Sequence, residues 1–176
     1  MTTTLLVDTD AVLNLDPWSQ LAAERRWLHF YLHITDAEPR SAALFDVIQL
    51  AEADGLRVRY SSRWPEMTAY LLKGWLDEHG YPAGYVHFRH SSSQDPVTLA
   101  ALHARAAARG GELVMVHHDA DIAAELRGKH SLAALGDQQL PATVEGLRRV
   151  FSLARPAPFV ELPSRGKPKS PNTSAA

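Results

Sequence analysis

Two aspartates one residue apart close the first apolar run of the chain, Leu5-Leu6-Val7-Asp8-Thr9-Asp10. Consecutive apolar residues bounded by polar ones predict a strand covered on both faces of a parallel sheet. Acids at the carboxyl end of such a strand fall in the crevice where open α/β sheets hold ligands. On extended chain, positions 8 and 10 project to the same side. Paired carboxylates there can bind a hard cation such as Mg2+, or divide the roles of nucleophile and acid/base.

Further polar residues follow later apolar runs. Ser61, Ser62 and Arg63 come after residues 57–60, and His117, His118, Asp119 and Asp121 after residues 112–116. Serines here can bind an anion or simply make a turn. Adjacent histidines on extended chain diverge, so one at most joins Asp8; a mixed imidazole/carboxylate site suits Zn2+ or Mn2+ better than Mg2+. Trp64 beside Arg63 offers a face for stacking a base, with core packing as the plain alternative.

These residues need a scaffold, and the apolar periodicity describes one. Strands are predicted over residues 3–8, 57–60, 84–88, 112–116 and, at an edge, 132–135. Helices are predicted over 19–32, 40–53, 65–79, 95–109, 120–127 and 141–153. Gly55, Gly80 and Gly110-Gly111 act as stops, and Asp95-Pro96 is a strong start. Such alternation predicts an α/β fold: a three-layer, Rossmann-like domain with a mainly parallel sheet over residues 1–154. Residues 14–39 are expected to form a small cap or insertion after the first strand. From residue 155 the pattern dissolves. Arg155, Arg165, Lys167 and Lys169 stand against Glu161 there, so 155–176 is expected to be a disordered basic tail.

Composition narrows the classes. The chain has 176 residues and is 45% hydrophobic, enough for a real core. It has no cysteine, which excludes disulfides, thiolate catalysis and cysteine zinc sites. A net charge of −2 does not favour nucleic acid in bulk. No run is long enough to span a membrane, and no basic-then-apolar leader opens the sequence, so a cytoplasmic location is expected. No GxxxxGK[ST] loop is present, which argues against a nucleotide kinase module.

The order of strand ends resembles the haloacid dehalogenase-like (HAD) superfamily of phosphatases. LLVDTDAVL is similar to that family's first motif, an apolar strand followed by DxD. RVRYSSRWPE, then a helix ending in WLDEHGYP, resembles the phosphatase domain of polynucleotide kinase/phosphatase proteins. HFRHSSSQDPVTLAAL is similar to the stretch before that group's third motif. The resemblance implies a metal-dependent phosphohydrolase acting on a phosphorylated small molecule or a nucleic-acid end. Asp8 would be the nucleophile and Asp10 the acid/base. Ser61, Ser62, Arg63 and Arg89 would contact phosphate, and Asp8, Asp10 and Asp119 would hold Mg2+, with Mn2+ or Zn2+ as alternatives.

Three motifs depart from the family pattern. Thr98 stands where a Lys or Arg is usual, and no Lys lies between Gly74 and Gly128, which leaves Arg89 as the expected substitute. His117-His118 stand where acids are usual, and Ala11 replaces a Gly. The alternative implied by these departures is a degenerate module that binds a phosphorylated ligand or a protein partner without turnover.

Overall fold

Branched and apolar residues at successive positions make Thr4–Asp8 (β1) the buried centre of a sheet, with every one of its residues buried. The computed structural model describes residues 2–90, 94–141 and 143–156. After β1 the chain runs through a single helical turn, α1 (Thr9–Val12), then β2 (Leu13–Asn14), α2 (Ser19–Ala23), α3 (Trp27–Leu32) and β3 (Glu38–Pro39). The regular alternation follows: α4 (Ala42–Ala53), β4 (Arg57–Pro65), α5 (Ala69–Glu78), β5 (Tyr85–Arg89), α6 (Pro96–Ala108) and β6 (Glu112–His117). It closes with α7 (Ala120–His130), β7 (Ala133–Gly136), α8 (Val144–Phe151) and β8 (Arg155–Pro156).

The main strands lie in the order β5-β4-β1-β6-β7, all parallel, with β8 antiparallel against the start of β6. Side chains alternate across β1, so Leu5 and Val7 enter one core and Leu6 the other. The first core is completed by α4, α5 and α8 through Val47, Ile48, Trp75 and Phe151. The second is completed by α6 and α7. The buried stripe Ala100, Ala101, Ala104 and Ala107 lets α6 lie close on the sheet. This is the expected α/β architecture: a mainly parallel sheet between two helical layers. Succession along the sheet reverses at β1, from which the chain moves out to β4 and β5 on one side and later to β6 and β7 on the other. The crevice at the carboxyl ends of β1 and β6 is the switch point where such sheets take ligands.

Several boundaries differ from expectation for local reasons. The helix over 19–32 is broken, because Arg25 takes a left-handed φ of 59° between α2 and α3. Strand β4 continues through Ser61 to Pro65. Helix α7 reaches His130, where Ser131 stops it at φ 51°. Helix α8 starts only at Val144, because the Thr143 side chain caps it by accepting from Gly146 N–H. Residues 155 and 156, expected in the tail, form β8; the rest of that tail lies outside the described residues, as do Ser91 to Ser93 of the loop after β5. The insertion of residues 14–39 is closed at its base by pairing of β2 with β3. Arg40 clamps it with hydrogen bonds of 3.0 and 2.9 Å to Asp16. Among the described residues no helix is long and apolar enough to cross a membrane.

Candidate active site

Asp8 ends the central strand and begins α1, so its carboxylate is placed by backbone rather than by a flexible stem. Oδ1 accepts from Asp10 N–H at 3.3 Å, and Oδ2 accepts from His118 N–H at 3.2 Å across the β1–β6 crevice. The residue is 6% exposed. Burial raises its pKa, and the two backbone N–H donors and the Arg63 charge offset this only in part. Asp10 does not lie on extended chain as the sequence suggested. It sits inside the turn of α1, which curls its side chain back toward Asp8, so the two carboxylates line one cavity of about 200 Å³.

Asp10 is held differently. Its Oδ2 lies 2.5 Å from Arg63 Nε, and the pair is asymmetric, since Arg63 is 67% exposed and the Asp10 side chain 13%. Burial first, and then the negative charge of Asp8, push the Asp10 pKa up to about 6; Arg63 and the two histidines oppose this. Both carboxyls therefore stand above the usual range, Asp10 at about 6, and they exchange protons as one buried pair near neutrality. A general acid/base needs such a value.

The histidines after β6 have separate partners. Asp119 N–H donates to His117 Nδ1 at 3.0 Å, so that nitrogen is the unprotonated one. Its 3.5 Å approach to Asp8 Oδ2 therefore sets lone pair against lone pair and is not an ion pair. Burial, the largest influence, also pushes the His117 pKa down. His118 Nδ1 faces Asp137 at 3.5 Å. Asp119, expected as a metal ligand, lines the cavity but caps α7, its Oδ1 accepting from Asp121 N–H and Ile122 N–H.

Strand alternation separates the two serines. Ser61 lines the cavity. Ser62 is fully buried and its Oγ accepts from Trp64 N–H, which removes it from the expected phosphate contacts. Behind Ser61 stands His103 of α6, with Nδ1 2.8 Å from Ser61 Oγ and Nε2 3.2 Å from Phe88 O. A carbonyl only accepts, so Nε2 carries the proton and Nδ1 accepts from the Ser61 hydroxyl. Burial pushes the His103 pKa down to about 4, which keeps the imidazole neutral. Ser61 thus directs its proton into the protein and its lone pairs toward the cavity.

The cavity wall opposite the carboxylates is apolar, made by Pro96, Leu99 and Ala100 of α6 and Ile122 of α7. Thr98 belongs to the first turn of α6, where its N–H is capped by Asp95. Arg89 lies in a neighbouring pocket. The guanidinium that reaches the acids is that of Arg63, which lines both spaces. This second pocket holds about 420 Å³ and is walled by Trp27, Phe30 and Tyr31 of the insertion and by Trp64, with Arg63 and Arg89 at its rim. Tyr31 senses the junction: burial pushes its pKa up, and Arg89, Arg63 and Asp10 all act on it.

Among the described residues no three His, Asp or Glu side chains converge as a metal cage. Two carboxylates do converge, and Mg2+ is commonly held by one or two carboxylates together with substrate phosphate and water. The donor set fits a hard cation shared with a phosphate and does not fit a self-sufficient zinc site. His103, Asp137 and the part of the aromatic wall made by Phe30 were missed from sequence, whereas Trp64 was read there as a face for a base. His103 alone left a trace there, as the one imidazole in the apolar stripe that α6 turns to the sheet. Comparison with protein-family models, with curated proteins and with solved structures gives no match.

Proposed function

We propose that this chain is a metal-dependent phosphohydrolase of the HAD type, acting on phosphate monoesters at nucleotide or polynucleotide ends. The observation that carries the reading is the asymmetric pair at the switch point: Asp8 fixed by two backbone donors and Asp10 with its pKa pushed up to about 6. In the first step Asp8 attacks phosphorus and the ester P–O bond breaks. Asp10 gives its proton to the departing oxygen. Water then attacks the aspartyl-phosphate, Asp10 takes the water's proton, and inorganic phosphate leaves with Asp8 restored. Mg2+ held by Asp8 together with a phosphate oxygen would supply neutralisation of charge between carboxylate and phosphoryl group, with Asp10 left to carry its proton. Arg63 binds phosphoryl oxygens from the open side, replacing the Lys that Thr98 does not provide. The aromatic pocket beside Arg63 accommodates a base, which supports a nucleotide-bearing substrate.

A second reading has its own observation. The apolar wall at Leu99 and Ala100, together with His117 and His118 in place of acids, favours a module that binds a phosphorylated ligand or a protein partner without cleaving it. Phosphate release from a 3'-phosphorylated oligonucleotide and from an aryl phosphate, with Mg2+, Mn2+ and Zn2+ in turn, separates the two. Metal-dependent release that disappears in Asp8→Asn is expected. No release with any metal, from protein whose circular dichroism shows it folded, would leave the binding module as the better reading.

A further inference from the structure

At the other end of the sheet, where the parallel strands begin, three arginines meet without acids. Arg57 and Arg59 enter from β4, and Arg109 from the end of α6. With Thr2, Gly110 and Gly111 they line an open crevice of about 590 Å³. Among the described residues none of these arginines has a carboxylate partner. The guanidinium of Arg59 is instead laid over the Tyr85 ring, 5.8 Å from its centre.

Two features set this crevice apart from an ordinary solvated basic face. Arg59 is only 8% exposed, and its Nε is buried with no hydrogen-bond partner. Burial of an unpaired guanidinium is costly, and a complementary anion removes the cost. Burial and then the charges of Arg109 and Arg57 push the Arg59 pKa down, so all three act on one small volume. The same field reaches His87, whose pKa is pushed down to about 4 by burial, by His103 and then by Arg59 and Arg109.

The second feature is backbone. Arg109 is the C-cap of α6 at φ 47°, the left-handed region that favours glycine, and Gly110 follows at φ 79°. The sequence carries an arginine at a position where glycine would relieve strain.

We infer that the crevice formed by Arg57, Arg59 and Arg109 is a second anion site, built for the phosphate group of a ligand and separate from the Asp8–Asp10 cavity. The guanidinium planes supply forked donors for phosphate oxygens. The openness of the crevice admits either free phosphate or a phosphate within a nucleic-acid strand.

The test is a titration of the full chain, 15N-labelled, with inorganic phosphate at constant ionic strength, and in parallel with a short unmodified oligonucleotide. Saturable movement of the Gly110 and Gly111 amide signals is expected, with a dissociation constant on the order of millimolar for phosphate. Asp8→Asn should bind alike at this end. Arg109→Gly should keep or raise the thermal midpoint, since glycine suits the backbone there, while affinity falls about tenfold. Arg57→Gln should weaken binding in the same direction. Tighter binding of the oligonucleotide than of phosphate assigns the strand as the source of the anion, and equal or weaker binding assigns free phosphate. Linear, non-saturating shifts, or an unchanged affinity in both arginine variants, would overturn the site.

Discussion

Asp10 joins two consequences that one variant can separate. A carboxyl whose folded pKa stands near 6, above the usual value of 3.8, binds its proton more tightly when folded. Its contribution to stability is therefore complete below the unfolded value and is lost as pH rises through about 6. Asparagine resembles the protonated form. Asp10→Asn is thus expected to be more stable than the parent at pH 7.5, on the order of 1–2 kcal/mol, and equal to it near pH 4. Urea denaturation at the two pH values measures this, and a gap of the same size at both would remove burial of the charge as its cause. Activity follows the same proton. In the proposed reaction the protonated form serves the leaving group, so the rate should fall as pH rises above about 6 when ester cleavage limits turnover. Arg63 holds the Asp10 pKa down, so Arg63→Gln should move that limb to higher pH.

Strands and stripes carried the legible part of the chain. Apolar runs at β1, β4, β5 and β6 marked the sheet, and the Asp8–Asp10 pair announced where its working end lies, because both follow from neighbours in sequence. What sequence could not supply was parity and partnership. Ser61 and Ser62 read alike as letters, yet one faces α6 and the other is sealed behind Trp64. Arg63 reaches Asp10 only because β4 lies beside β1, with Ser61 level with Asp8. The break at Arg25 depends on a left-handed residue that has no glycine to signal it. Close strand approach is equally silent until seen. A Cβ on Gly84, just before β5, would stand 2.7 Å from Val58 O and 3.0 Å from the Tyr60 ring. Tyr60 is fully buried and its hydroxyl donates to Pro82 O at 2.9 Å, so neither neighbour yields easily. Gly84→Ala is therefore expected to destabilise the fold by about 1–3 kcal/mol, read as a lower urea midpoint at unchanged slope. An unchanged midpoint would mean that β5 moves away from β4 freely.

Taken whole, the molecule sets opposite charges at opposite ends of one sheet. Acids gather where the strands finish, unpaired arginines where they start, and the insertion after β1 overhangs the acidic end alone. The insertion is too small to seal the site, so it contributes a wall instead of a lid. That wall is aromatic: Trp27 stacks with Tyr31 at 6.3 Å between ring centres, and Tyr31 meets Trp64 at 6.5 Å. Trp27 remains 47% exposed, so part of its ring is open to a flat apolar group. A base beside a terminal phosphate has that shape, and Arg63 stands where ring pocket and carboxylates meet. Stacking of one base on an aromatic ring contributes about 1–3 kcal/mol, so Trp27→Ala should raise KM for a 3'-phosphorylated oligonucleotide by roughly tenfold or more. Turnover at saturation should hold, since Asp8 and Asp10 are untouched. Glycerol phosphate, which has no ring, should be hydrolysed by parent and variant alike. Equal losses on both substrates would instead make Trp27 a support for the insertion, and the phosphate alone would then decide what the site accepts.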